Sequence, residues 1–160
     1  MRIAWSQTTR FSFKPFAKGQ NIDPIFELLW DLFAEGEHWR IAEHAESTLK
    51  TLRSRGYRLA VLSNNDSRLR SVLEDHSITP LFEEIFISSE LGVEKPDPAI
   101  FRAVEDKMKE KPDGFLHLGD SYSRDFMGAQ KAGWSALLYG LPIIEKSQIT
   151  SFSELLDHLP

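Results

Sequence analysis

The chain has 160 residues, of which 41% are hydrophobic and 27% are charged, and its formal net charge is −5. This length corresponds to about one domain, and the acidic balance argues against a general nucleic-acid binder, which usually presents a basic surface. The absence of cysteine excludes disulfides and thiolate metal sites. No apolar run approaches the ~20 residues of a membrane span, and a signal peptide is not apparent. We therefore expect a cytoplasmic protein with no nucleic-acid and no membrane partner.

The first third of the chain differs in pattern from the rest. Amphipathic spacing predicts helices over residues 23–36 and 42–56. The stretch before them, residues 8–21, is rich in aromatic side chains. Its period-two alternation suggests a strand, but Pro15 weakens that assignment.

From residue 57 onward, strand-like and helix-like stretches alternate. The strand-like stretches are short and apolar, and they cover residues 57–63, 81–88, 114–119 and 134–140. Helical spacing and capping residues, such as Asp97 before Pro98, predict helices over residues 66–78, 97–111, 123–133 and 150–159. Alternation with short connections predicts an α/β fold, in which helices cover both faces of a parallel sheet.

Polar side chains follow three of these strands where each one ends. In chain order they are Ser63, Asn64, Lys95, Asp120 and Asp125. Because the carboxyl ends of parallel strands meet at one edge of a sheet, we expect these side chains to lie close together. A hydroxyl, backbone amides and an ammonium can hold phosphate oxygens, whereas two carboxylates suit a magnesium ion.

Each of these residues also has a purely structural explanation. Asp125 can simply favour the positive N-terminal end of the following helix. The turn after Ser63 can be an ordinary helix start, and Lys95 can be a solvated surface lysine. His117 alternates with apolar residues in its strand, which favours a packed core histidine over a catalytic base. The order of the polar residues, each at a strand end, favours the functional interpretation.

The chain resembles the haloacid dehalogenase-like hydrolases in three motifs that occur in the family's order: LSNND, GVEKPDPAIF and LGDSYSRDFMGAQKAGW. The resemblance extends from about Trp39 to Tyr139. The two acids of the last motif are similar to those of the magnesium-dependent phosphatase branch. The resemblance implies a three-layer, doubly wound parallel sheet of Rossmann type with a helical cap.

The same resemblance implies roles for the residues at the strand ends. Ser63 would bind the transferring phosphate, with Asn64 beside it. Lys95 would neutralise the phosphate and the attacking carboxylate. Asp120 would ligate Mg²⁺ directly, and Asp125 would ligate it or hold its waters. The implied partner is a small phosphorylated substrate.

The family's first motif, Asp-x-Asp-x-Thr, supplies the carboxylate that forms an aspartyl-phosphate, and it has no counterpart here. Of the ten aspartates in the chain, no two are separated by a single residue. We therefore expect residues 1–45 to be a partial cap and residues 46–160 to be a core without its first-motif strand. On this interpretation the chain begins inside the cap and is inactive alone. The alternative is that RIAWSQTT is a decayed first motif with Ser6 in the nucleophile's place.

Two other classes of function stay open: a non-catalytic interaction or regulatory relative, and a 2-haloacid dehalogenase-type hydrolase, which the acid pair disfavours. The resemblance places the missing strand between the strand that ends at Asp120 and the strand that ends at Ser63. An N-terminal segment such as RIAWS, a strand from a second chain, or direct pairing of the two neighbours could fill that position. The second possibility predicts self-association through the gap.

Overall fold

The computed structural model describes residue 21 and residues 23–159. The strands in this part of the chain are β1 Ala60–Ser63, β2 Glu84–Ile87, β3 Leu116–Gly119, β4 Ser135–Tyr139 and β5 Gln148–Ile149. Their pairings, β1 with β2, β3 with β4 and β4 with β5, are all parallel. The four predicted strands are therefore confirmed. The sequence pattern does not predict β5, because two residues are too few for an alternation to show.

The helices occupy most of the positions that the spacing of apolar residues predicts. They are α1 Asp23–Leu32, α2 Ala45–Ser54, α3 Arg68–Asp75, α4 Ser88–Leu91, α5 Pro98–Met108 and α6 Met127–Lys131, with 3₁₀ helices at Gly36–His38, Thr79–Leu81, Pro112–Gly114 and Phe152–His158. The predicted helix 123–133 is instead a π-turn, Tyr122–Phe126, followed by α6. The predicted terminal helix is of 3₁₀ type. Among residues 23–159, no helix has both the length and the apolar character needed to cross a membrane.

Helices cover both faces of β4. Ala136 and Leu138 pack in one apolar cluster, together with residues of α5 and α6. Leu137, which lies between them, packs in a second cluster with Leu52 of α2 and Leu155 of the C-terminal 3₁₀ helix. Alternate residues of a strand point to opposite faces of its sheet. This arrangement confirms the predicted three-layer α/β fold.

The described strands fall into two sheets, β1 with β2, and β3 with β4 and β5. Within residues 23–159, β1 and β3 are not paired with each other. The possibility that the two strands beside the missing strand pair directly is therefore wrong. Leu62 of β1 and Leu118 of β3 are only half-buried, whereas Leu137 and Leu138 of β4 are 4% and 3% exposed. The RIAWS alternative lies outside the described residues, and self-association stays a prediction.

The guanidinium group of Arg68 connects α1 to the start of α3. Arg68 Nη1 donates to Trp30 O at 2.9 Å, and its Cζ lies 3.6 Å from the centre of the Trp30 ring. Arg68 also donates to both carboxylate oxygens of Asp66, at 2.8 and 2.6 Å. Burial alone would raise the pKa of Asp66, but the hydrogen bonds from Arg68 outweigh burial and lower it. A second contact, from the Gly36 amide to Asp75 Oδ2 at 2.8 Å, fastens the neighbouring 3₁₀ helix to α3.

The expected boundary between residues 1–45 and residues 46–160 falls at the start of α2. Residues 1–20 lie outside the described part of the chain, and α1 contacts α3 through Arg68. The division into a partial cap and a core therefore stays a prediction.

Replacing Arg68 with alanine should lower the free energy of unfolding by roughly 1.5–3 kcal/mol, because the buried Asp66 carboxylate then loses its charged donor. Arg70 is the matched control on the same helix. Its ion pair with Glu90 is largely exposed, so Arg70→Ala should cost less than about 1 kcal/mol. Urea denaturation of both variants measures the difference.

The same comparison has a defined pH dependence. Since the folded pKa of Asp66 is lowered from 3.8, its contribution to stability is present above that pH and is lost as the pH falls below it. The difference in the free energy of unfolding between wild type and Arg68→Ala should therefore become smaller in acid. Equal losses for the two arginine variants at neutral pH would contradict the role given to Arg68.

Candidate active site

The lysine and the second acid of the predicted site form an ion pair. Lys95 Nζ lies 2.7 Å from Asp125 Oδ1, and the two side chains are only 8% and 7% exposed. The same ammonium donates to Leu62 O of β1 at 2.7 Å. Because Asp125 follows β3, Lys95 contacts groups from both sheets at the edge where their strands end. The structure thus brings two of the predicted site residues together.

Asp125 accepts hydrogen bonds from three directions. Besides Lys95, His117 Nε2 lies 3.3 Å from Oδ1, and the Ser121 amide donates to Oδ2 at 2.9 Å. Burial alone would raise the pKa of Asp125, but the hydrogen bonds from His117, Lys95 and Ser121 outweigh burial and hold it well below its usual range. The group is therefore a carboxylate at neutral pH. A carboxylate offers about four acceptor positions, so Asp125 has room for a further donor, a water or a metal ion.

The π-turn after β3 is what brings Asp125 to this position. The Asp125 and Phe126 amides both donate to Ser121 O, at 2.9 and 3.2 Å. The second of these reaches back five residues, which widens the turn. The Ser121 hydroxyl accepts from the Arg124 amide at 3.3 Å and so caps the turn. A wider first turn is not visible in the spacing of apolar residues, which explains why the sequence predicts a plain helix here.

Gly119 permits the close approach of this turn to β3. A Cβ atom added at Gly119 would overlap the Asp125 side chain and would lie 2.6 Å from its Oδ2. A side chain at this position is therefore incompatible with the observed place of the carboxylate.

His117 belongs to the site, although its pattern in the sequence indicates a core residue. It does pack in the core, edge-on to the rings of Phe101 and Trp134. Burial lowers its pKa, so the ring is neutral. Because a carboxylate can only accept, Nε2 carries the proton and donates it to Asp125. The sequence feature that could indicate this role is the position of His117 in β3, two residues before Gly119, on the strand that leads into the site.

Asn64 lies beside Lys95, but its side chain is directed at the lysine backbone. Nδ2 donates to Lys95 O and Oδ1 accepts from the Lys95 amide, both at 2.8 Å. Ser63 is the last residue of β1 and is half-buried. The predicted phosphate-binding residues thus lie next to one another. The Asn64 side chain holds the backbone of Lys95, the residue that carries the ammonium.

The two carboxylates proposed for magnesium differ in exposure. Asp120 directly follows β3 and is exposed, whereas Asp125 is 5% exposed. Magnesium in proteins is commonly bound by one or two carboxylates and keeps several waters, so the chemistry of these two side chains suits the ion. In the described part of the chain, a set of three His, Asp or Glu side chains within reach of one ion occurs elsewhere, at Glu35, Glu37 and His38. All three are exposed, and exposed acids of this kind are common without a metal.

The comparisons with known proteins identify relatives of this chain. The family model of the haloacid dehalogenase-like hydrolases matches residues 3–133. Haloacid dehalogenase-like hydrolase domain-containing protein 3 of Bos taurus is 38% identical over 123 residues, which are 77% of this chain and 49% of the relative. A glyceraldehyde 3-phosphate phosphatase of Methanothermobacter thermautotrophicus is 37% identical over 100 residues, 62% of this chain and 44% of that protein. The chain spans about half the length of these curated relatives.

Solved structures show the same fold. A dehalogenase with an intermediate complex superposes with a TM-score of 0.82 at 24% identity, over 96% of this chain and 70% of that one. A phosphatase from Thermococcus onnurineus gives a TM-score of 0.74 at 21% identity, over 93% and 69%. At these identities the likeness concerns the fold, and it confirms the predicted Rossmann-type architecture.

Gly119→Ala should displace Asp125 from Lys95 and lower the free energy of unfolding by about 1–3 kcal/mol, since the added methyl group overpacks a filled space. Gly114→Ala is the matched control. A Cβ there would meet the side chain of Glu110, which is exposed and can move aside. Thermal denaturation, together with the ¹³C shift of the Asp125 carboxyl, reports both effects. An unchanged carboxyl shift in Gly119→Ala would contradict the packing argument.

Proposed function

Because the chain belongs to the haloacid dehalogenase-like hydrolase family, we propose that it forms the phosphate- and magnesium-binding part of a phosphatase site for a small phosphorylated metabolite. One observation carries this proposal: the buried Lys95 ammonium at the strand ends. Leu62 O and Asp125 account for two of its N–H donors. An ammonium has three, so a third can donate to a phosphate oxygen.

The other residues at this edge have complementary roles in the proposal. The Ser63 hydroxyl and the backbone amides after β1 bind further phosphate oxygens. Asp120, which is exposed, ligates Mg²⁺, and Asp125 uses its remaining acceptor capacity to ligate the ion or hold one of its waters. When bound, Mg²⁺ shields the negative charge of the phosphoryl group.

The nucleophile of the proposed reaction is a carboxylate from an Asp-x-Asp-x-Thr strand supplied from outside these 160 residues. A carboxylate oxygen would bond to phosphorus as the bond to the substrate oxygen breaks, and the second acid would protonate that leaving oxygen. Water would then attack phosphorus and lose a proton to the second acid, which is ionised after the first step. The bond from phosphorus to the carboxylate oxygen would break, which releases inorganic phosphate and restores the carboxylate. The strand's place is between β1 and β3, whose facing edges are not paired with each other in the described structure.

A phosphatase is favoured over a dehalogenase by the charges at the strand ends. A carboxylate paired with an ammonium, together with a second carboxylate that directly follows the same strand β3, suits a phosphate and a metal. Hydrolysis of a carbon–halogen bond does not require a second acid that ligates a metal. The relative named as a glyceraldehyde 3-phosphate phosphatase supports the same choice. The likeness to a solved dehalogenase, at 24% identity, concerns the fold and does not weigh against it.

The 160-residue chain should show no Mg²⁺-dependent hydrolysis of p-nitrophenyl phosphate. The same chain preceded by a strand that ends in Asp-x-Asp-x-Thr should hydrolyse it, and EDTA or Asp120→Asn should abolish the activity. An extension that ends in Asn-x-Asn-x-Thr is the matched control, since it restores the strand without the nucleophile. Robust turnover by the 160 residues alone, lost in Asp120→Asn, would contradict the proposal and require a nucleophile within the chain.

A further inference from the structure

Asn64 and Lys95 are connected by a reciprocal pair of hydrogen bonds. The residues are 31 positions apart in the chain, yet the Asn64 side chain bonds both the N–H and the C=O of Lys95 at 2.8 Å. The two bonds fix the orientation of the amide, because the carbonyl oxygen faces a donor and the NH₂ group faces an acceptor. Both polar atoms of the side chain therefore have partners in the protein backbone.

The backbone of Lys95 determines where its ammonium can reach. The side chain is long, and ordering a lysine costs up to about 2 kcal/mol of conformational entropy. In the structure it extends from the backbone that Asn64 holds, and its Nζ lies between Leu62 O and Asp125 Oδ1, 2.7 Å from each. Asn64 directly follows β1, and Leu62 belongs to β1. The strand therefore holds the backbone of Lys95 through Asn64 and accepts a hydrogen bond from the ammonium through Leu62 O.

We propose that Asn64 is a positioning residue that holds the Lys95 backbone so that the ammonium lies between the two sheets, and that it does not itself bind phosphate through its side chain. This differs from the role that the family resemblance implies, in which Asn64 lies beside Ser63 on the phosphate. The statement about phosphate depends on the proposed function, whereas the statement about the lysine backbone does not.

The neighbouring asparagine provides a matched control. Asn65 Oδ1 accepts from the amide of Asp66, one residue away, at 2.9 Å. Its own carbonyl accepts from Ser89 N and Ser88 Oγ, and these backbone contacts do not require its side chain. Asn65→Ala thus removes an amide group at the same strand end without touching Lys95.

The experiment combines amide hydrogen exchange with titration of inorganic phosphate, in the wild type, Asn64→Ala, Asn65→Ala, Lys95→Met and the double variant of residues 64 and 95. Asn64→Ala should speed exchange of the Lys95 amide at least tenfold and weaken phosphate binding by about tenfold, a loss typical of one or two hydrogen bonds. Asn65→Ala should do neither. In the Lys95→Met background, Asn64→Ala should cause no further loss of phosphate affinity, since its effect acts through the lysine.

Three results would overturn the inference or separate it from the proposed function. An equal loss of phosphate affinity on Asn64→Ala with and without Lys95 would mean direct contact with the anion. An unchanged exchange rate of the Lys95 amide in Asn64→Ala would mean that the Asn64 side chain does not hold the Lys95 backbone. If the wild type binds no phosphate, the proposed function fails, and the exchange measurement alone decides the role of Asn64. Should Asn64→Ala fail to fold, Asn64→Asp keeps the side-chain size and one acceptor but places an oxygen against Lys95 O, so its phosphate affinity should also fall.

Discussion

A lysine ammonium buried between two sheets is the interaction on which the strand-end site depends. Lys95 Nζ lies 2.7 Å from Leu62 O in one sheet and 2.7 Å from the Asp125 carboxylate that follows the other. Removing one member of a buried ion pair typically costs about 3–5 kcal/mol, because the other charge is left without compensation. The surrounding structure accordingly fixes both members: Asn64 holds the lysine backbone, while His117 and the Ser121 amide hold the carboxylate.

The elements of this fold are largely predictable from the sequence, and the reason is physical. Short apolar runs and helical spacing reflect burial on one or both faces, so β1 to β4 and the helices α3 and α5 follow from pattern alone, whereas the short helix α4 does not. Lys95 and Asp125 could also be placed near one another, since both follow strands that end at the same edge of a parallel sheet. Local capping signals hold as well, such as Asp97 at the start of α5.

The parts that the sequence does not predict depend on partners that are distant in the chain. The pair of hydrogen bonds between Asn64 and Lys95 joins residues that are 31 positions apart, and no local pattern reveals it. The π-turn depends on the space beside Gly119, which admits the Asp125 carboxylate only because that residue has no Cβ. His117 serves the core and the site together, so its apolar surroundings in the sequence indicate only the first role. These contacts decide how the site is built, even though its residues can be named beforehand.

The most direct test of the account is NMR detection of the Lys95 ammonium in protein labelled with ¹⁵N-lysine. If the ammonium is buried between Leu62 O and Asp125, its protons should exchange slowly with solvent and give a distinct signal, which Asp125→Asn should shift or remove. Lys107 is the internal reference, since its side chain is 60% exposed in its ion pair with Glu84. A Lys95 ammonium that exchanges as fast as that of Lys107 would contradict the account.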